Sequence, residues 1–124
     1  ASAAASAQHL GRRSGERWLC CLPLYHVGGL SIPIRSVLQG TTAVLHERFD
    51  PERVSAALDA ERITGISLVA AMLERLLEWR GERPPAAALR CVLLGGSAAP
   101  LPLLERARSS GWPIAPARRR CCRT

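Results

Sequence analysis

Leu22-Pro23-Leu24-Tyr25-His26-Val27-Gly28-Gly29-Leu30 sets one histidine between an apolar run and a pair of glycines. The residues before it, Trp18 to Leu22, are short, apolar and closed by Pro23, which predicts a buried strand. Beyond the glycines, Leu30 to Leu38 predicts a helix that ends at Gly40, with Pro33 tolerable only in its first turn. Strand, histidine and helix in that order hold an imidazole at the carboxyl end of a strand, where open α/β folds expose side chains to a ligand crevice. A histidine flanked by Tyr25 and Val27 can also be a satisfied buried residue. The glycines favour a site, because backbone without side chains leaves space beside the ring.

Outward from this stretch, strand and helix alternate. Thr41 to His46 reads as a second strand, and Phe49-Asp50-Pro51-Glu52 as a helix start in which Asp50 caps, Pro51 takes the first helical position and Phe49 staples onto Val54. Val54, Ala57, Leu58 and Ile63 supply its buried stripe. Ile66 to Ala70 reads as a third strand, and Met72 to Arg80 as a helix burying Leu73, Leu76 and Leu77. Cys91 to Leu94 reads as a fourth strand running into Gly95-Gly96, then Leu101 to Ser110 as a helix, and Trp112 to Ala115 as the beginning of a fifth strand. Ala1 to Leu10, followed by Gly11, reads as a first helix. Regular alternation predicts an α/β fold with a mainly parallel sheet and helices on its faces.

Composition narrows the partners. The formal charge of +7 comes from seventeen arginines against ten carboxylates, with no lysine anywhere. Four of those arginines lie in residues 117–124, so the remaining body carries only +3. That balance is ordinary for an enzyme and a poor footprint for nucleic acid. The five cysteines form neither a CxxC pair nor a Cys/His set at zinc spacing, so no metal site is expected. Cys20, Cys21 and Cys91 sit in apolar runs, where a free thiol behaves as a small hydrophobe suited to a reducing cytoplasm. No apolar run reaches the ~18 residues of a membrane helix, and Ala1 to Ala7 lacks the features of a signal peptide. Ser31 and Ser67 have no nucleophile-elbow glycines around them, which leaves serine hydrolase chemistry without support.

About seventy residues after His26, Gly95-Gly96-Ser97-Ala98-Ala99-Pro100 forms a second glycine-rich turn between a strand and a helix. Such turns bring backbone N–H groups and a helix N-terminus to a polar ligand. Together the two motifs resemble the adenylate-forming acyl-CoA synthetases, the AMP-binding enzymes, and among them the 2-succinylbenzoate-CoA ligases of menaquinone biosynthesis. Leu30-Ser31-Ile32, Arg35-Ser36-Val37, Gly40-Thr41-Thr42 and the capped start at Phe49-Asp50 carry the likeness to that branch. The resemblance implies part of the large N-terminal domain over residues 1–116 and a basic tail outside the family over 117–124.

It also implies the chemistry. A carboxylic acid is activated with ATP and Mg2+ to an acyl-adenylate, pyrophosphate leaves, and coenzyme A takes the acyl group. By resemblance His26 lies in the acyl pocket and places the carboxylate, then the acyl group. Gly95, Gly96, Ser97 and Ala98 line that pocket and pack on the adenine, with Pro100 shaping the turn. Gly28, Gly29 and Arg35 are secondary candidates, Arg35 as the attractor of a second carboxylate on a dicarboxylic acyl substrate.

The family also uses a lysine-ending phosphate loop, a Tyr-Gly-x-Thr-Glu segment, a ribose-binding aspartate and a C-terminal domain with its own lysine. Here Trp112 to Ala115 is followed by Pro116-Ala117-Arg118-Arg119-Arg120-Cys121, and the only methionine is Met72. The chain is therefore read as a fragment, inactive by itself and binding ATP, Mg2+ and coenzyme A poorly if at all. Two alternatives stand beside this reading: a non-catalytic basic α/β module acting through its arginine tail, and a degraded gene remnant. No nucleic-acid or membrane partner is expected, and the oligomeric state stays open.

Overall fold

The structure, a computed structural model, describes residues 15–96 and 98–115. The helix expected at Ala1 to Leu10, the residue Ser97 and the tail at 117–124 lie outside the described residues. Four strands and four helices alternate along the rest: β1 Arg17–Cys20, α1 Val27–Gln39, β2 Thr42–Leu45, α2 Pro51–Ala60, β3 Gly65–Val69, α3 Ala70–Arg80, β4 Cys91–Gly95 and α4 Leu101–Ser109. The sheet order is β2-β1-β3-β4, with every pair parallel. The expected fifth strand is present as a single parallel bridge, Val92 to Ile114, on the outer edge of β4.

Period-two alternation divides the sheet into two faces. Leu19, Cys21, Ile66, Leu68 and Val92 point to one side, where Val54 and Leu58 of α2, Leu73, Leu76 and Leu77 of α3 and Leu103 of α4 close over them. Trp18, Cys20 and Cys91 point to the other, where Ile32 of α1 meets them. Truncating a buried leucine on the first face removes packing that three helices share, a loss of about 2–5 kcal/mol.

On the second face the Trp18 ring lies across Gly65. A Cβ at Gly65 would fall 2.2 Å from Trp18 Cε3, so a glycine is needed there. The indole Nε1–H donates to Ser67 Oγ at 3.0 Å, which satisfies both buried polar groups.

The local signals for α2 work as expected. Asp50 Oδ1 accepts from the N–H groups of Glu52 at 2.9 Å and Arg53 at 3.3 Å, and Phe49 packs on the cluster that contains Val54. Arg80 ties the end of α3 to α2. Its guanidinium donates to both Asp59 carboxylate oxygens at 3.1 Å, to Ser55 Oγ at 2.8 Å and to the Pro84 carbonyl at 2.6 Å.

One expectation needs correcting. Because α1 begins at Val27 and not near Leu30, Pro33 is its seventh residue and sits in the helix interior. The helix still ends at Gly40, whose φ of 66° is the left-handed conformation that glycine adopts most readily.

Candidate functional site

A strand order of β2-β1-β3-β4 sends the chain leftward after β1 and rightward after β2, so the topology reverses between β1 and β3. Helix α1, which follows β1, packs on one face, whereas α3, which follows β3, packs on the other. In open α/β sheets such a divergence is where a ligand crevice forms, at the carboxyl ends of the two strands. Both glycine-rich motifs meet that edge: residues 21–28 leave β1, and Gly95-Gly96 ends β4, one strand beyond β3. With neighbouring strands ~4.8 Å apart, the two motifs stand roughly 10 Å apart across the end of β3.

His26 is the N-cap residue of α1, with φ −98° and ψ 147°. Its carbonyl accepts from Gly29 N–H at 3.1 Å and Leu30 N–H at 2.9 Å, while its own N–H donates to the Pro23 carbonyl at 3.2 Å. The side chain makes no capping bond and is exposed, with the Tyr25 ring 4.6 Å away. Backbone hydrogen bonds thus hold the residue while the imidazole faces outward at the positive end of a helix dipole. A carboxylate is favoured at such a place.

The glycines beside it divide in role. A Cβ on Gly29 would lie 2.1 Å from the Pro23 carbonyl oxygen, so the first turn of α1 requires glycine in order to rest on the chain that leaves β1. A Cβ on Gly28 would meet only Leu22 Cδ1, at an ordinary 3.6 Å. At the second motif, Gly96 has φ +81°, and among the described residues nothing lies within 4 Å of the place a Gly95 Cβ would take. Gly95, Gly96, Ala98 and Pro100 are all exposed, and Pro100 is the N-cap of α4.

Arg35 is not brought to this edge. It lies nine residues along α1 from His26, or about 13 Å at the helical rise. There it is buried with its guanidinium carbon 4.4 Å from the centre of the Trp18 ring, and Nη2 is enclosed without a hydrogen-bond partner among the described residues. Burial lowers its pKa from the ordinary arginine value, with the nearby Cys91 acting in the opposite direction.

Two residues at the carboxyl edge were not singled out as site candidates. Cys20 ends β1 with its sulfur 3.6 Å from the Gly29 carbonyl oxygen and 3.6 Å from that of Leu22. Pro33, with no N–H of its own, was the sequence signal that a donor was needed here. His46 follows β2, donates its N–H to the Cys20 carbonyl at 2.8 Å, and is half-buried with Nδ1 enclosed and unpartnered. Among the described residues no three His, Cys, Asp or Glu side chains gather as a metal site, and no helix is long and apolar enough to cross a membrane.

Comparison with known proteins places this geometry among relatives. The family described as AMP-binding enzyme matches residues 1–115. The 2-succinylbenzoate-CoA ligase of Bacillus pumilus is 45% identical over 113 residues, 91% of this chain and 23% of the relative, and that of Bacillus subtilis is 46% identical over the same length and shares. O-succinylbenzoate coenzyme A synthetase from Bacillus subtilis, solved in complex with AMP, superposes with a TM-score of 0.85 at 47% identity, covering 91% of this chain and 23% of that one. The N-terminal domain of FACL13 from Mycobacterium tuberculosis superposes at 0.83 with 25% identity, covering 90% and 28%. The chain thus spans about a quarter of the length of the ligases it matches.

Proposed function

The chain belongs to the AMP-binding enzyme family, and on that premise we propose that residues 1–116 form the part of an acyl-CoA ligase that holds the acyl group and the adenylate, with 117–124 a tail outside that domain. The observation that carries the reading is the meeting of an exposed histidine loop and an exposed glycine turn at the carboxyl edge, on either side of β3. The assembled enzyme would join a carboxylic acid to ATP as an acyl-adenylate with release of pyrophosphate, then pass the acyl group to coenzyme A with release of AMP. The identity to 2-succinylbenzoate-CoA ligases supports 2-succinylbenzoate as the acid.

Each residue has a physical part in this reading. His26, held through its backbone and free at its ring, orients the reacting carboxyl by hydrogen bonding where the helix dipole already favours an anion. Among the described residues nothing gives Gly28 or Gly95 a steric reason to be glycine, which fits a ligand passing over their Cα atoms. Gly96, Ala98 and Pro100 shape the turn against the adenylate, and Ser97, outside the described residues, is proposed as an adenylate contact by the family resemblance alone. Arg35, with one nitrogen unpartnered, fits an attractor for a second carboxylate only if that carboxylate reaches down the crevice past Ile32.

The Bacillus subtilis synthetase has been solved with ATP and a magnesium ion and with the acyl-adenylate OSB-AMP. ATP, magnesium and coenzyme A are the co-reactants proposed here. The glycine-lined edge suits an adenylate, whereas the described residues gather no ligand set for magnesium, so none of the steps above depends on how that ion is held. Of the described arginines, Arg80 and Arg90 are in ion pairs with Asp59 and Glu16 and Arg35 is stacked on Trp18, while the arginine tail through which a basic binding module would act lies outside the described residues.

The test is a graft. Residues 15–115 replace the matching stretch of the Bacillus subtilis ligase, and coenzyme A ester formation from 2-succinylbenzoate and ATP is measured. The chimera is expected to turn over, and His26→Ala within it to lower kcat by roughly 10²-fold or more. A folded chimera that forms no acyl-adenylate would falsify the reading.

A further inference from the structure

We propose that Cys20 is a positioning residue for His26: its thiol replaces the helix hydrogen bond that Pro33 denies to the Gly29 carbonyl, and so seats the first turn of α1 on the end of β1. In a regular helix the carbonyl of Gly29 would accept from the N–H of the residue at 33. Proline has none, and Pro33 stands inside α1. The Cys20 sulfur reaches that carbonyl at 3.6 Å in a buried setting, and is equally close to the Leu22 carbonyl where the chain leaves β1. Burial raises the Cys20 pKa against the opposing hydrogen bond to the Leu22 carbonyl, so at neutral pH the thiol keeps its one proton, shared between the Leu22 and Gly29 carbonyls.

The rest of the turn is interlocked with this contact. Gly29 rests on the Pro23 carbonyl with no room for a Cβ, and the same carbonyl accepts the N–H of His26. The His26 carbonyl in turn accepts from Gly29 and Leu30. Without the thiol, the buried Gly29 carbonyl loses a donor, and the turn that carries the imidazole loosens. Gly29 and Cys20 therefore hold the same seam from its two sides, one by absence of a side chain and the other by a proton.

A double-mutant cycle on the 124-residue chain tests this, read by amide hydrogen exchange at Gly29 and Leu30 and by the His26 ring signals in NMR spectra. Cys20→Ala, and Cys20→Val with volume but no donor, are each expected to speed exchange at Leu30 by roughly fivefold and to shift the His26 ring signals. With Pro33→Ala an N–H returns to the Gly29 carbonyl, and in that background the same two variants are expected to change exchange by less than about twofold.

Cys91→Ala removes another buried thiol of the same cluster and is expected to have equal effects in both backgrounds. Equal penalties for Cys20→Ala with Pro33 and with Ala at that position, or a silent Cys20→Val, would overturn the proposal. If Cys20→Ala fails to fold alone, rescue by Pro33→Ala that Cys91→Ala does not share supports it, and absence of rescue overturns it. The chemical weight of His26 rests on the ligase reading, but exchange and ring signals do not pass through catalysis. An inactive graft and an uncoupled cycle are thus separate failures.

Discussion

The loop after β1 and the turn after β4 each carry two adjacent glycines, and the two pairs are glycine for different reasons. In the loop, the buried member, Gly29, is demanded by a carbonyl oxygen that would sit 2.1 Å from a Cβ, while the exposed member, Gly28, is not. In the turn, Gly96 is demanded by a backbone φ of +81°, while Gly95 meets no described residue where its Cβ would stand. One glycine of each pair serves the fold, by packing in the first case and by chain direction in the second. The other leaves bare backbone at the edge where the two motifs meet. Glycine in a motif is therefore not one signal but two, and only the glycine without a structural duty speaks for a ligand.

Substitutions break this comparison in a graded order. Gly29→Ala is expected to cost the most, about 3 kcal/mol, because neither the helix turn nor the Pro23 backbone can yield cheaply; the urea midpoint of unfolding checks it. A loss under 1 kcal/mol would mean that α1 slides freely on β1.

Alkaline pH comes next, and it acts on the loop side, where Cys20 ends β1 and Cys21 follows it. Burial, with the neighbouring Cys20 thiol adding to it, pushes the Cys21 pKa up from 9.0 to about 12. The unfolded chain releases this proton near pH 9 while the folded chain retains it, so stability falls as pH rises from 9 towards 12. The slope is on the order of 1 kcal/mol per pH unit, and Cys21→Ala is expected to flatten it in midpoints taken at pH 8 and 10.

Gly96→Ala should cost about 1 kcal/mol, the strain of a left-handed alanine, again read from the urea midpoint. The smallest effects on stability belong to Gly28→Ala and Gly95→Ala, each within about 0.5 kcal/mol of the parent chain. In the graft these same two variants are expected to raise KM for 2-succinylbenzoate or ATP several-fold, with folding unchanged. If they leave KM untouched, the bare backbone is not where ligand passes.

Much of the fold was legible because its signals are local. The stop at Gly40, the Asp50 cap and the Leu73, Leu76, Leu77 stripe each need only a few neighbouring residues to be read. The start of α1 was not, since Val27, Gly28 and Gly29 are poor helix formers and enter the helix only because tertiary packing holds them there. That misplacement also hid the orphaned carbonyl behind Pro33. The site was half legible. His26 and Gly95 stand out individually, but their shared edge follows from β3 inserting between β1 and β4, a pairing that no short stretch of sequence contains. Arg35 read as an attractor for a second carboxylate because nothing in its own neighbourhood announces Trp18 beneath it.

The insertion of β3 beside β1 also orders events in time. As the chain leaves a ribosome, β1 and β2 emerge well before β3, and the bond from Arg17 N–H to Thr64 Oγ1 closes a separation of 47 residues. At ~5–20 residues per second, the inner edge of β1 waits several seconds for its partner. Throughout that interval Trp18 has neither Ser67 to receive its indole N–H nor Gly65 to lie across. Any β1–β2 pair formed in that interval has its other edge, and the Trp18 ring, without the partners they meet in the fold.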